Sequence, residues 1–440
     1  MRNLLGLLLL SLCLSSSAYS KVYDYTHNNR LSLIEDPRTS VDLKVELIRS
    51  AKHHINIVTF FWDDSAVPAR LAVELNKAHD RGVEVRILTS YIATLGTDPL
   101  GKGKRNLNLK SKNHATYSYL SLTPGTSFSV NNSLHEKIFV IDGEKAIIGG
   151  RNASNSSLSG KDLEVLMEGP VVNQVQDHFK RMFDFIIDQR ISTHCNQNDS
   201  VDSQCVQEYK KLEFSSKDAN FFPEQAGFTG GEDARILSHE ALIHQKELGL
   251  SRSERLTQQD DILDTVTKIE FKKLRAYNYF IIPTPKYKKF LEDSLAEGDS
   301  IEMITNSYES AKFSSNYGYI YSIPDAMDLV EDGLELHQWQ RNQKLNYVHE
   351  KVMIFDEDHV IVGSHNFGVG STAVSNEIAI EFKSKPIADR LIEVFEYESG
   401  NPAITMKADL NFLEQEYEKY KMQIKILRMK IVEGILREIY

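Results

Sequence analysis

The chain carries one pattern twice, and any fold it adopts must house two copies of the same local structure. The first copy reads His135-Glu136-Lys137, four residues, Asp142, six residues, then Gly149-Gly150-Arg151-Asn152. The second reads His349-Glu350-Lys351, four residues, Asp356, six residues, then Gly363-Ser364-His365-Asn366. Five positions are fixed at identical offsets, a match expected by chance at roughly one start in a million. Two accidental matches in one chain can be set aside.

The residues between Lys and Asp are apolar in both copies, Ile138-Phe139-Val140-Ile141 and Val352-Met353-Ile354-Phe355. Such runs, closed by Asp-Gly or Asp-Glu-Asp, predict buried strands ending in turns. A second short strand follows each, at 145–148 and 359–362. His and Lys stand two apart, so a strand points them to one face. Asn152 and Asn366 lie just beyond the second strand. One imidazole, one ammonium and one amide per copy suit a phosphoryl group: Lys and Asn bind its oxygens, and the imidazole attacks phosphorus or moves a proton. One His cannot easily do both jobs in a step; two copies supply one for each.

Both stretches resemble the HxK(x)4D signature of the phospholipase D superfamily, with its trailing Gly-Ser-x-Asn element. The residues around 55–62, 66–78 and 81–88 resemble that family's opening strand, helix and strand. Asp162-Leu163-Glu164-Val165 and Ser375-Asn376-Glu377-Ile378 resemble the segments after its two signatures. The likeness covers about 40–190 and 265–400, and the shorter cardiolipin synthases look nearest. It implies an α/β fold of two similar halves, mixed sheets flanked by helices, with the active site at the seam. It also implies a two-step displacement through a phosphohistidine, with His135 as nucleophile and His349 as general acid and then base; the opposite assignment stays open. Lys137, Lys351, Asn152, Asn366 and Ser364 would bind the phosphate. Asp142 and Asp356 complete the catalytic signature, as braces at strand ends rather than substrate contacts. Glu377 would orient a catalytic His, and Asp162 or Glu164 would do so in the first half; the sequence does not choose. Gly150 stands where the family usually has Ser, so a hydroxyl contact is missing there. No cofactor and no metal are implied.

Residues 1–20 read as a secretory signal: Arg2, an apolar core at 4–14 too short to span a bilayer, and Ala18-Tyr19-Ser20 for cleavage. Cys195 and Cys205 then remain as a possible disulfide, which fits an oxidising compartment. The expected address is periplasmic or secreted, peripheral to a membrane. His239-Glu240-Ala241-Leu242-Ile243-His244 is one residue too long for a zinc helix and reads as an exposed helix face. Lys and Arg number 51 against 62 Asp and Glu, a net −11, so no nucleic-acid footprint is expected. Lys102, Lys104, Arg105, Lys110 and Lys112 crowd one loop and could meet anionic headgroups.

The expected organisation is signal peptide 1–20, first half 21–194, linker or insertion 195–265, second half 266–405 and an amphipathic helix 406–440. Within the second half the spacing predicts an opening strand at 279–283. Leu410, Leu413, Tyr417, Tyr420, Ile424, Leu427 and Ile431 recur every three or four residues; docking on its own domain or on a partner helix is favoured over an anionic membrane. The leading functional expectation is a cardiolipin synthase-like phosphatidyltransferase or phosphodiesterase acting on phospholipid at a membrane surface. An exported phospholipase D, a nuclease and a non-catalytic lipid-binding scaffold are the alternatives, and a protein partner is left open.

Overall fold

The computed structural model describes residues 22–62, 65–89, 117–121, 133–195, 203–210, 220–241, 261–311, 316–341, 345–373 and 375–429. The leader, the basic loop and His244 lie outside them.

Along the chain the first half runs β1 (Thr26–Ile34), α1 (Pro37–Ser50), β2 (His54–Thr59), α2 (Ala66–Asp80), β3 (Glu84–Thr89), β4 (Tyr117–Ser121) and β5 (Ser133–Leu134). The signature hairpin β6 (Ile138–Ile141) and β7 (Lys145–Gly149) follows, then β8 (Gly160–Lys161), β9 (Glu164–Glu168) and the long α3 (Val171–His194). After α4 (Gln204–Lys210), β10 (Glu232–Glu240) and α5 (Asp261–Val266), the second half repeats the plan. It comprises β11 (Lys273–Tyr277), α6 (Pro285–Ala296), β12 (Ser300–Asn306), α7 (Asn316–Glu331), β13 (Glu335–Trp339) and β14 (Tyr347–Val348). The second signature hairpin is β15 (Val352–Phe355) and β16 (His359–Gly363), followed by α8 (Val369–Ala373), β17 (Ser375–Lys383) and α9 (Lys385–Ser399). Strand β18 (Thr405–Lys407) and helix α10 (Leu410–Leu427) close the described chain.

Fifteen of the described strands form one continuous path, β18-β13-β12-β11-β15-β16-β17-β10-β1-β9-β7-β6-β2-β3-β4, with β5 added beside β17 and β8 paired with β14 in a separate two-stranded sheet. Reading outward from its centre, β9-β7-β6-β2-β3 and β17-β16-β15-β11-β12 mirror one another, with antiparallel signature hairpins and parallel outer pairs. This is the mixed α/β architecture with two similar halves. Residues 195–265, expected as a linker or insertion, supply part of the centre of the sheet: β10 pairs with β17 over eight residues and meets β1 beside β9. His239 and Glu240, read as an exposed helix face, lie buried on β10. His239 Nε2 bonds Thr372 O at 2.7 Å and Glu240 accepts from Arg181 at 2.7 Å. His239 and Glu240 survive there because each finds a partner, so composition misreports their burial.

A central core draws on both halves, from Val58, Ile138 and Ile148 to Val352, Ile354 and Ile378, under Phe179, Phe183 and Phe395 of α3 and α9. Outer cores beneath α1–α2 and beneath α6–α7 complete the two layers. The strand expected at 279–283 is instead the loop after β11; its apolar run is buried against α7 and α10. The true strand, Lys273-Leu274-Arg275-Ala276-Tyr277, hides its polar members in ion pairs with Glu302 and Glu396. Helix α10 docks Leu413, Tyr420, Ile424 and Leu427 on its own second half, as favoured. Cys195 and Cys205 are disulfide-bonded, Cα to Cα 5.8 Å.

Candidate active site

Each signature hairpin turns on its Asp. Asp142 and Asp356 take left-handed φ values of 52° and 51°, a conformation Asp tolerates better than most residues. Their carboxylates accept backbone N–H groups where the neighbouring strand begins. Asp142 takes those of Lys52, His53 and His54 at 2.7 to 2.9 Å, and Asp356 those of Lys272 and Lys273 at 2.8 and 2.9 Å. Each lies five positions along the strand from its Lys, about 16 Å. The two Asp residues therefore brace the far end of the hairpin and stand outside the constellation formed by the His residues.

At the near end the halves exchange partners. Parallel pairing of β5 with β17 lets His135 N–H donate to Asn376 O at 3.0 Å. The His135 Nδ1 then lies 2.9 and 3.0 Å from the carboxylate oxygens of Glu377. Pairing of β14 with β8 lets His349 N–H donate to Lys161 O at 2.7 Å. There Nδ1 meets Asp162 Oδ2 at 2.8 Å. Each imidazole is thus held, by backbone and side chain, by the opposite half. Glu164 has other work, accepting from Ser40 and, at 2.6 Å, from Lys44. Counting could not have chosen: Glu377 lies 28 positions after His349, whereas Asp162 and Glu164 lie 27 and 29 after His135.

Lys137 and Lys351 fold back so that each Nζ donates to its own His carbonyl, the latter at 2.5 Å. Phe60 sets its edge on His135, ring centroids 5.0 Å apart, and Tyr279 does the same to His349 at 5.6 Å. The two Lys Nζ atoms lie 5.6 and 5.8 Å from these same ring centroids. The sequence gives no signal for either aromatic beyond its place just after the strand, β2 or β11, that pairs with its signature hairpin. Asn152 Oδ1 accepts Phe61 N–H at 3.3 Å, which leaves its amide N–H groups available. Asn366 Oδ1 is buried with no hydrogen-bond partner among the described residues.

Ser364, expected on the phosphate, is fully buried and donates to Glu377 Oε2 at 2.5 Å. Ser371 donates to Oε1 at 2.6 Å. Both hydroxyls fix the carboxylate that fixes His135. Gly150 occupies the equivalent place, where a Cβ would fall on the Asp162 carboxylate. The shorter Asp thus goes with the missing hydroxyl: Gly-Asp in one half replaces Ser-Glu in the other. Gly150→Ser should push Asp162 off His349 and, as an overpacked core, cost about 1–3 kcal/mol. Thermal denaturation checks this, and an unchanged Tm would contradict the geometry.

Burial disfavours charge on His135, and Lys137 and Lys351 add to it against the pull of Glu377, leaving the imidazole at about 4. For Glu377 burial is outweighed by His135, His365 and Lys137, so it stays ionised, at about 2. Burial, together with each other's charge for Lys137, brings Lys137 to about 7; burial brings Lys351 to about 8 against the carboxylates near it. Burial raises Asp162. His135 is therefore a neutral imidazole whose Nδ1–H points at a carboxylate, with Nε2 bearing a lone pair. Among the described residues no group of three or more His, Cys, Asp or Glu could hold a metal ion.

The profile of the family described as cardiolipin synthase, PLD-like domain, matches residues 45–183 and 269–398, one match over each half. The chain belongs to the phospholipase D-like family. Cardiolipin synthase 1 of Staphylococcus epidermidis is 22% identical over 421 residues, covering 93% of this chain and 75% of that protein. An uncharacterized protein of Helicobacter pylori is 23% identical, covering 84% of this chain and 79% of that one. Phosphatidylserine synthase of Haemophilus influenzae superposes with a TM-score of 0.66 at 12% identity, covering 93% of this chain and 95% of that one. At that identity the likeness speaks for the fold.

Proposed function

We propose that this phospholipase D-like protein is a phosphatidyltransferase acting on glycerophospholipids. The observation that carries the reading is the reciprocal pair of imidazole–carboxylate contacts at the seam, flanked by two buried ammonium groups. His135 Nε2 attacks phosphorus, a P–N bond forms, and the P–O bond to the leaving alcohol breaks with its electron pair. His349 Nε2–H gives the leaving oxygen its proton. An incoming alcohol then attacks phosphorus, His349 takes its proton, and the P–N electrons return to His135. The assignment of roles rests on electrostatics. His135 is neutral beside an ionised Glu377, so its Nε2 lone pair is free to attack, and the proton transfers fall to His349, the imidazole of the other half. Lys137, Lys351, Asn152 and Asn366 bind the non-bridging oxygens.

Incubating the protein with mixed phosphatidylglycerol and phosphatidylethanolamine vesicles, with mass spectrometry of the lipids, tests this. Cardiolipin supports transfer. Phosphatidic acid alone, even with excess glycerol, supports a hydrolase instead. No turnover of either lipid rejects both. The acidic balance of the chain gives a nuclease reading no support.

The disulfide favours an exported, oxidising address. No helix among the described residues is long and apolar enough to cross a membrane. The outer face of α10 and the residues after it expose Met422, Ile426 and Met429, and Lys421 and Lys425 lie beside them. Serine at those three apolar positions should reduce co-sedimentation with anionic vesicles at least about three-fold; unchanged binding would discard α10 as the contact.

The same electrostatics fix a pH profile. The nucleophile needs neutral His135, so kcat/KM should rise through about pH 4. Anion binding needs charged Lys137 and Lys351, so it should fall through about pH 7 to 8. A bound phosphodiester stabilises the ammonium groups, so the alkaline limb of kcat should lie higher. A kcat/KM flat from pH 6 to 10 would contradict this account.

A further inference from the structure

Each signature reads His-Glu-Lys, and strand alternation sends the Glu to the face opposite His and Lys. Both glutamates are buried and both meet a buried cation. Glu136 meets His178 of α3, Nε2 to Oε1 2.8 Å, and the other side of that ring faces Glu240 at 3.3 Å. Glu350 meets Lys161, Nζ to Oε1 3.2 Å. Lys161 Nζ also reaches Glu398 Oε1 of α9 at 3.1 Å and lies 4.9 Å from the centroid of Tyr277, whose hydroxyl donates to Glu398 at 2.6 Å.

The two cations are not equivalent. His178 belongs to a helix remote in sequence from the clamp on His135. Lys161 belongs to the clamp on His349: its carbonyl accepts His349 N–H, and the next residue, Asp162, holds the ring at Nδ1. The dipeptide Lys161-Asp162 of one half therefore grips His349-Glu350 of the other at three points: carbonyl to amide, carboxylate to imidazole, ammonium to carboxylate. The matching dipeptide Asn376-Glu377 grips His135-Glu136 at two, because the Asn376 amide turns to Met182 Sδ.

We propose that Lys161 is a positioning residue for His349: by pinning Glu350 and Glu398 it fixes the register in which Asp162 presents that imidazole to the leaving oxygen. The proposal rests on the two-histidine reading above. It assigns Lys161 to proton transfer and not to the attack by His135. A displaced His349 leaves formation of the P–N bond intact wherever the leaving group departs without a proton. It slows protonation of an alkoxide, and it slows deprotonation of the water or alcohol that attacks the phosphohistidine.

The test uses the full chain and two soluble diesters, bis(p-nitrophenyl) phosphate and dihexanoylphosphatidylglycerol. The variants are Lys161→Met with Glu350→Gln, which keeps the net charge of the cluster and leaves Glu398 its hydrogen bond from Tyr277, and Lys161→Arg. The double variant should lower kcat on the lipid about 30- to 100-fold with KM within about two-fold, part of the 10²–10⁴ available from general acid–base catalysis. Its first-turnover burst of p-nitrophenolate should stay within about three-fold of wild type, followed by a slow steady state. Lys161→Arg, which keeps the charge, should restore most of the lipid rate. Equal loss on burst and lipid turnover, or no loss on either, overturns the proposal. Loss of folding in the double variant alongside an inactive, well-folded Lys161→Arg also overturns it, since charge would then not suffice. A wild-type protein that turns over neither diester rejects the underlying reading instead.

Discussion

His135→Ala is expected to lower turnover of every phosphodiester by at least about 10⁴-fold, because it removes the atom that forms the covalent bond. The alternative nucleophile is His349, held at Nδ1 by Asp162. Alanine there should retain a burst with p-nitrophenyl diesters, whereas His135→Ala should show none. Quenching with labelled diester gives a second readout: a phosphoramidate, stable to alkali and labile to acid, should form on wild type and not on His135→Ala. Since His135 is packed between Phe60 and Glu377 at the seam, melting curves must accompany the kinetics. A well-folded His135→Ala keeping more than about 1% of the rate, or a label on His349, would reverse the roles of the halves.

Glu377→Gln should cost about 10³-fold in kcat with little change in KM. The carboxylate can only accept, so it holds the His135 proton on Nδ1 and leaves Nε2 bare. An amide can instead turn its NH₂ towards Nδ1, which moves the ring proton to Nε2 and removes the attacking lone pair. Ser364 and Ser371 both donate to this carboxylate, so the amide also strands one hydroxyl, at about 1–3 kcal/mol of stability. Imidazole nitrogen shifts measured by NMR should report the tautomer directly. A variant with the Nδ1–H tautomer and a 10³-fold loss would mean that charge, not tautomer, is the contribution of Glu377.

The doubled signature made half of this protein legible. Periodicity two places His135 with Lys137 and His349 with Lys351, and the apolar runs between Lys and Asp fix the two hairpins, because both depend only on neighbours along the chain. The resemblance to phospholipase D-like proteins and the α/β class follow from those same local patterns. What the tertiary structure decided are contacts between residues far apart in sequence. That Glu377 serves His135 and Asp162 serves His349 depends on β5 lying beside β17 and β8 beside β14. Ser364 left the phosphate for Glu377, and Gly150 proved to make room for Asp162, because each faces a strand that pairs from a distance. β10 is hard to read as a strand because Arg235, His239 and Glu240 find their partners in the fold, and a sequence shows a residue's polarity but not its partner. Strand direction is a property of a short segment; the choice of partner is set by which segments the closed fold brings together.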